Sequence, residues 1–332
     1  MNNIIVKSHF ALCIMLLLFA AAAGSAEKSA PLTSAMPVCT ANSAGTVRYD
    51  ELLAKYADRD SRFAILEGLD GIRVHYKDEG TGPAVLLVHS SSGDLKDWDI
   101  WTQVLRQDYR VVRLELPAFG LTGPVPSGNY SVERYMSMID ALMDDRGIER
   151  FAIVGASYGG LVAFRYAATR IDRVSALILA NSAGIEYGGR RGTTERSRDR
   201  SGVFKPQLRT LEQTNKMLSM MINVPEMLTA ELVQRKTDYA NLIGRDCESF
   251  VATRLYERGN PQRVLSHVRA PSLVLWGGDS RALSPETAQA FVDGLKNASS
   301  TKKIIYQGGG HFLHIERPEE SVRDAKKFLD SL

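Results

Sequence analysis

The chain has 332 residues, of which 44% are hydrophobic and 24% charged. This balance is typical of globular proteins and excludes collagen-like, mucin-like and disordered classes. The 41 basic and 38 acidic residues give a formal net charge of +3, so overall charge gives no reason to expect nucleic acid or an acidic polymer as a partner. The length fits one large α/β domain with an insertion, or two domains, with a sizeable core.

The first 26 residues have the pattern of a secretory signal peptide. Lys7 precedes an apolar run of 14 residues, 10–23, and Gly24-Ser25-Ala26 follow it. A membrane-spanning helix needs ~20 apolar residues, so we expect no stable membrane anchor, with an uncleaved N-terminal anchor as the alternative. Residues 1–26 are therefore predicted to be removed near Ala26, and the mature protein to be periplasmic or secreted.

Residues 27–61 are interpreted as an N-terminal leader, mobile up to about residue 45 because Ala, Ser, Thr and Pro predominate there without an apolar period. Removal of the signal peptide would leave two cysteines, Cys39 and Cys247. They can form one disulfide in an oxidising compartment or remain two thiols, and the sequence does not decide between these. Neither has an adjacent histidine, so we predict no metal site.

From Arg62 onward, short β-rich runs alternate with helical stretches, and several of the runs are continuously apolar, as in strands covered on both faces. The alternation predicts a mostly parallel sheet with helices on both faces. The predicted strands are Phe63–Leu66, Ile72–Tyr76, Ala84–Val88, Arg110–Leu114, Phe151–Val154, Ala176–Leu179, Ser272–Leu275 and Lys303–Tyr306.

The segment 185–267 contains no buried-strand run and interrupts this alternation. Its apolar spacing predicts three helices, at Leu211–Ile222, Glu226–Ile243 and Asp246–Glu257. Open α/β sheets bind ligands at the carboxyl edge of their strands, so we interpret 185–267 as a helical lid over that edge, with a separate helical domain as the alternative. The core then comprises residues 62–184 and 268–332.

A nucleophile motif, Gly155-Ala156-Ser157-Tyr158-Gly159, lies between a predicted strand and a predicted helix. A serine on such a tight turn is held in strained backbone geometry with its hydroxyl above the sheet. The glycines remove side chains where strand and helix approach closely. Ser157 is therefore the predicted nucleophile.

A serine nucleophile needs a base and a group that orients the base. His311 follows three glycines after the last predicted strand and is the favoured base, with His314 as the competing candidate. Asp279 follows the strand that ends near Trp276, which gives the chain order serine, aspartate, histidine. Asp279 is the predicted orienting acid, and a solvated loop aspartate is the alternative.

The same chemistry needs N–H donors for the oxyanion. One is the backbone amide of Tyr158, the residue after the nucleophile, and the second should come from the loop after the strand Ala84–Val88. We assign that second donor to the amide of Ser91.

These motifs together resemble the α/β-hydrolase superfamily from about Arg62 to the C-terminus. The stretch 115–120 is similar to the family's acidic-Leu-Pro-Gly-Phe-Gly segment, and 310–318 is similar to its histidine loop. The resemblance implies an α/β-hydrolase fold with an eight-stranded sheet, a variable lid and a triad that needs no cofactor.

Three departures from the family pattern concern the site. The usual His-Gly of the oxyanion loop is His89-Ser90, and Ala118 replaces a frequent glycine. The family commonly has its acid where this chain has Ser280, so the acid is either Asp279, shifted by one residue, or another residue such as Glu186.

The predicted function is an exported serine hydrolase that cleaves an ester, or a related carboxylic-acid derivative, of a small to medium apolar molecule through an acyl-enzyme. Alternatives are a meta-cleavage type C–C bond hydrolase, a thioesterase or acyltransferase, and a non-catalytic binding protein. Members similar to the C–C hydrolases often have Asn before the serine and Trp after the histidine, where this chain has Ala156 and Phe312. The expected partner is a small-molecule substrate, and the sequence does not predict the oligomeric state.

Overall fold

The structure is a computed structural model that describes residues 43–185, 206–254 and 261–332. The predicted signal peptide, Cys39 and Glu186 lie outside these residues.

The described residues form an eight-stranded sheet with the strand order β1-β2-β4-β3-β5-β6-β7-β8. The first two strands pair antiparallel, β2 also pairs antiparallel with β4, and the remaining neighbours are parallel. The predicted α/β-hydrolase sheet is confirmed. The strands are β1 Arg62–Leu66, β2 Ile72–Glu79, β3 Ala84–Val88, β4 Arg110–Leu114, β5 Phe151–Ala156, β6 Val174–Ala180, β7 Ser272–Gly277 and β8 Thr301–Tyr306.

Helices cover both faces of the sheet. In chain order they are α1 Tyr49–Tyr56, α2 Asp99–Leu105, α3 Val132–Asp145, α4 Tyr158–Thr169, α5 Leu211–Ser219, α6 Ala230–Ala240, α7 Arg245–Arg254, α8 Pro261–Leu265, α9 Pro285–Gly294, α10 Leu313–Glu316 and α11 Pro318–Leu329.

Strand β3 shows why the inner strands of this sheet are continuously apolar. Leu86 and Val88 belong to the apolar cluster on one face of the sheet, together with residues of α3, α4 and α9. Val85 and Leu87 belong to the cluster on the other face, together with residues of α2 and α11. Because alternate side chains of a strand point to opposite faces, a strand between two helical layers must be apolar at every position.

Helices α5 to α8 occupy the described part of the predicted lid, and that part contains no strand of the sheet. Helix α5 ends at Ser219, three residues earlier than predicted. The reason is that the next residues bond to the core, since the carbonyl of Met221 accepts the amides of His311 and Phe312.

The predicted leader, 27–61, is wrong at its C-terminal end. Ser43 Oγ donates to Asp246 Oδ1 on α7 at 2.6 Å, and α1 buries Leu52 in a small apolar cluster that includes Tyr239. The hydroxyl of Tyr56 donates to Asp238 at 2.6 Å. The apolar residues of α1 fall on one face, so this segment packs against the lid helices.

Cys247 on α7 is buried and disulfide-bonded. Cys13 and Cys39, the other cysteines of the chain, lie outside the described residues. Of the helices in 43–185, 206–254 and 261–332, none combines the length and apolar character that crossing a membrane requires.

Candidate active site

The predicted nucleophile lies at a strained turn between β5 and α4. Ser157 has φ 49° and ψ −113°, a left-handed φ that non-glycine residues rarely adopt. A Cβ at Gly159 would overlap the carbonyl oxygen of Val88, so glycine is required there. The turn is held by the Ser157 amide, which donates to the Ala180 carbonyl at 3.0 Å. Strain of this kind is maintained only where the surrounding structure enforces it.

The structure brings His311 to Ser157, with 2.9 Å between His311 Nε2 and Ser157 Oγ. Both residues are buried. His311 lies in the loop between β8 and α10, where its amide donates to the carbonyl of Met221 at 2.7 Å. The lid therefore helps to hold the predicted base in position.

Burial lowers the pKa of His311 to about 4, because a charged imidazolium would lack water around it. The ring is therefore neutral at pH 7. A neutral imidazole whose Nε2 faces the serine hydroxyl can accept its proton, as a general base must.

The structure does not bring Asp279 to His311. Asp279 is exposed, and its amide donates to the carbonyl of Gly309 at 2.9 Å. The next residue, Ser280, is buried with its Oγ 3.5 Å from His311 Nδ1. The amide of Ser280 bonds back to the carbonyl of Gly277, and this tight turn directs the serine inward and the aspartate outward.

The two predicted oxyanion donors belong to neighbouring segments. Tyr158 is the first residue of α4, and the amides of the first turn point out of the N-terminal end of a helix. Ser91 is exposed in the loop after β3. That loop is closed without the family's usual His-Gly, since the Gly93 amide donates to the carbonyl of Ser90 at 2.9 Å. Their role as donors stays a prediction.

His314, the competing base, is buried and makes no hydrogen bond to the serine hydroxyl. Its ring packs on Trp98 with 4.5 Å between centroids, and neither ring nitrogen has a hydrogen-bond partner among the described residues. Burial, assisted by the charge of Lys236, lowers its pKa to about 3. His314 is therefore a neutral packing residue.

Four buried charged side chains, which we call the charged quartet, connect the lid to the loop after β3. They are Asp94 and Asp97 on the loop side and Arg235 and Lys236 on α6. Arg235 Nε lies 2.9 Å from Asp94 Oδ2, and Lys236 Nζ lies 2.6 Å from Asp97 Oδ2. No sequence motif reveals this group, because its two aspartates lie more than 130 residues from its two cations.

The charges of the quartet act on each other. Burial alone would raise the pKa of Asp94, but Arg235 and Lys236 hold it well below its usual value. Burial and the charge of Asp94 together raise the pKa of Asp97. Asp94 is therefore the more firmly ionised of the two carboxylates.

Asn223 in the lid connects the two loops that carry His311 and Ser280. Its amide donates to Glu316 Oε2 at 2.6 Å, and the same carboxylate accepts the amide of Gly310. Its side-chain Nδ2 donates to the carbonyl of Asp279 at 3.1 Å. The sequence offers no signal for this contact, since Asn223 follows a predicted helix and belongs to no motif.

Arg245 is a buried cation with an incomplete set of partners. Its Nη2 donates to the carbonyl of Gly120 at 3.1 Å, whereas Nε and Nη1 make no hydrogen bond to the described residues. Glu248 Oε2 lies 3.5 Å from its Nε, and burial raises the pKa of this glutamate despite the nearby arginine. A carboxylate ligand could satisfy the remaining donors of Arg245.

The backbone that Arg245 contacts is next to an aromatic neighbour of Tyr158. Phe119 precedes Gly120. The centroid of its ring lies 5.3 Å from the centroid of the His89 ring and 6.4 Å from that of the Tyr158 ring. Within the described ranges, no group of three or more His, Cys, Asp and Glu residues is arranged to hold a metal ion.

A family model for the alpha/beta hydrolase fold matches residues 83–318. A 2-hydroxy-6-oxononadienedioate/2-hydroxy-6-oxononatrienedioate hydrolase from Paraburkholderia phymatum is 29% identical over 285 residues, which cover 80% of this chain and 93% of the relative.

Two solved structures are similar in fold. A variant of the meta-cleavage product hydrolase from Pseudomonas fluorescens has a TM-score of 0.69 at 20% identity, covering 82% of this chain and 99% of that one. A putative lipase from Acinetobacter baumannii has a TM-score of 0.70 at 21% identity, covering 86% of this chain and 97% of that one. These identities show a shared fold and leave the reaction open.

Proposed function

The chain belongs to the α/β-hydrolase family and is a hydrolase, and from this premise we propose that it cleaves a carbon–carbon bond next to a ketone in a small substrate bearing a carboxylate. The observation that carries the proposal is the 2.9 Å contact between His311 Nε2 and Ser157 Oγ. The similarity to 2-hydroxy-6-oxononadienedioate hydrolases over 80% of the chain supports this reaction over the ester hydrolysis expected from the sequence.

The proposed reaction begins at the ketone carbon. Ser157 Oγ attacks that carbon while its proton passes to His311 Nε2, and the carbonyl electrons move onto the oxygen, facing the amides of Ser91 and Tyr158. Collapse of this intermediate breaks the carbon–carbon bond, and the departing carbon takes the proton from His311. Water, activated by the same imidazole, then releases the second product as a carboxylic acid and restores Ser157.

A carbon leaving group must carry the bonding electron pair until it is protonated. This is feasible when the departing carbon is saturated and lies beside a double bond conjugated to a second carbonyl, which holds the electron pair as a dienolate. A 2-hydroxy-6-oxo-2,4-dienoate reaches this form as its keto tautomer, when the proton of its enol hydroxyl has moved to C5. The preferred substrate is therefore a conjugated oxo-acid rather than an isolated ketone.

Arg245 supports a substrate with a carboxylate. Two of its nitrogens make no hydrogen bond to the described residues, and burial raises the pKa of its neighbour Glu248, which weakens that residue as a counter-ion. By contrast, the lid cations Arg235 and Lys236 are already paired with Asp94 and Asp97. Arg245 is therefore the cation that we propose to receive the substrate carboxylate.

Hydrolysis of an ester is the second candidate. Ala156 and Phe312 occupy the positions where C–C hydrolases often have Asn and Trp, and this difference favours ester chemistry. The same serine, imidazole and oxyanion donors serve both reactions, because each proceeds through attack on a carbonyl and an acyl-enzyme.

Turnover of two substrate types distinguishes the candidates. We would measure hydrolysis of a 2-hydroxy-6-oxo-2,4-dienoate, followed by loss of its conjugated absorption, against a p-nitrophenyl ester series from acetate to octanoate. The proposal predicts a higher kcat/KM for the dienoate, and preferential ester turnover would contradict it. Ser157→Ala should lower either activity by more than about 10³-fold, since it deletes the nucleophile.

A substitution of Arg245 tests the proposed binding of the substrate carboxylate. Arg245→Met should raise KM for the dienoate by roughly 10- to 100-fold, the value of a charge-assisted hydrogen bond of about 1.5–3 kcal/mol. Turnover of a neutral ester should change little, because that substrate has no carboxylate. Equal losses on both substrates would indicate a structural role for Arg245.

Export remains a further part of the proposal. Its support is the sequence of residues 1–26, which lie outside the described residues. N-terminal sequencing of the protein recovered from the producing cell tests it, with a mature start near Glu27 expected and an intact Met1 contradicting cleavage.

A further inference from the structure

The ring nitrogen of His311 that faces away from Ser157 is next to a hydroxyl. Ser280 Oγ lies 3.5 Å from His311 Nδ1, and Ser280 is 7% exposed. Among the described residues, no carboxylate forms a hydrogen bond with this imidazole. In contrast to Ser280, Asp279 is exposed.

The hydrogen bonds around Ser280 determine what its oxygen can do. The amide of Leu283 donates to Ser280 Oγ at 3.3 Å, which leaves the oxygen a second lone pair. A proton on His311 Nδ1 can be donated to that lone pair, and His311 Nε2 is then unprotonated and able to accept the proton of Ser157. The opposite arrangement, with Ser280 donating to Nδ1, would put the proton on Nε2 and remove the base.

We propose that Ser280 is the positioning residue for His311, and that Ser157, His311 and Ser280 form a reaction trio in which no carboxylate of the described residues touches the imidazole. This inference rests on the proposed function for the existence of a reaction at Ser157. In the attack step, the proton of Ser157 Oγ moves to Nε2 as the bond to the carbonyl carbon forms. The Nδ1 proton stays on its nitrogen, directed at Ser280 Oγ, and Nε2 later returns its proton to the leaving group.

Among the described residues, the charged groups near His311 do not act as its orienting acid. Lys236, on the lid, is paired with Asp94 and Asp97. Glu316 accepts the amides of Gly310 and Asn223.

The neighbouring imidazoles supply no negative charge either. A positive charge on His311 would lower the pKa of His314 on α10. Burial lowers the pKa of both His314 and His89. The imidazolium formed during reaction is therefore stabilised by less negative charge than a carboxylate triad supplies.

Substitutions at Ser280 test the proposal. The readout is the rate at which a fluorophosphonate labels Ser157, measured as a function of pH. This labelling requires a reactive serine nucleophile but no knowledge of the substrate. Ser280→Ala should slow labelling about tenfold, as expected for loss of one neutral hydrogen bond, and Ser280→Thr should retain most of the rate. Ser280→Asp should move the acidic limb of the profile up by at least about one pH unit, because a carboxylate stabilises the imidazolium.

The two acids that could replace Ser280 in this role, Asp279 and Glu186, are tested in the same labelling assay. Asp279→Asn and Glu186→Gln should label at the wild-type rate, and thermal unfolding should show that every variant is folded. Wild-type labelling of Ser280→Ala, or a large loss in Glu186→Gln or Asp279→Asn, would overturn the proposal. Failure of the wild-type protein to label would instead refute the proposed function itself, so the two failures are distinguishable.

Discussion

Two buried polar groups of this molecule, the reaction trio and the charged quartet, differ in the formal charge of their members. The reaction trio carries no formal charge, and its longest contact is the 3.5 Å separation between His311 Nδ1 and Ser280 Oγ. The charged quartet joins two cations and two carboxylates, with contacts of 2.6–3.0 Å between them. The molecule thus places strong electrostatics at the lid junction and a weakly polar arrangement beside the nucleophile.

The comparison shows that burial has opposite consequences in the two groups. In the charged quartet each ion offsets the desolvation of another, so the group is favourable only while all members are present. In the reaction trio burial acts on a lone imidazole and lowers its pKa to about 4. At neutral pH the quartet should therefore govern stability, and the trio should govern reactivity with little effect on stability, because His311 is then neutral in the folded protein and mostly neutral in the unfolded chain.

Removing one member of the charged quartet should have the largest effect on stability. Lys236→Met leaves Asp94 and Asp97 with a single cation, and we expect the free energy of unfolding to fall by about 3–5 kcal/mol, measured by urea denaturation. Lys96→Met is the matched control, since Lys96 is 33% exposed and 3.7 Å from Glu231, and a surface pair contributes at most about 1 kcal/mol. Equal losses would refute the special role of the quartet.

Acidification tests the burial of neutral imidazoles. The folded-state pKa of His314 is lowered from 6.5 to about 3, so the unfolded chain binds the proton first and stability falls as pH drops below about 6.5. From pH 7 to pH 5 this single group should cost about 2 kcal/mol. His314→Phe keeps an aromatic ring between Trp98 and Phe312. Its free energy of unfolding in urea should depend less steeply on pH than that of the wild-type protein, and an identical dependence would contradict a buried neutral His314.

The smallest expected effect lies inside the charged quartet. The pKa of Asp94 is lowered and that of Asp97 raised, so Asp94→Asn should destabilise the fold more than Asp97→Asn, by at least about 1 kcal/mol, the equivalent of roughly one pKa unit. Comparison of the two variants by chemical denaturation at pH 7 checks the order. A larger loss in Asp97→Asn would reverse our assignment of the charges.

Much of the fold could be predicted from the sequence because its signals are local. All eight strand runs were identified, since strands buried on both faces need continuous apolar residues, as in Ala84–Val88. The pairing of Ser157 with His311 was also predictable, because each lies at a strand end with adjacent glycines that permit a tight turn.

The remaining features depend on contacts that no local pattern reveals. Whether Asp279 or Ser280 faces His311 is decided by one turn bonded to the Gly277 carbonyl, and a shift of one residue reverses the side-chain direction. The eight residues of helix α1 do not by themselves predict a partner surface, so the sequence predicts only a leader there. The partners of α1, Asp238 and Tyr239, lie more than 180 residues away.

A nuclear magnetic resonance titration of the His311 ring nitrogens in the wild-type protein, assigned with His311→Gln, is the sharpest test of the uncharged reaction trio. We expect a neutral ring at pH 7 with the proton on Nδ1 and a pKa well below the reference value of 6.5. A pKa of about 7 or above, as a carboxylate beside the imidazole would produce, would contradict the uncharged reaction trio.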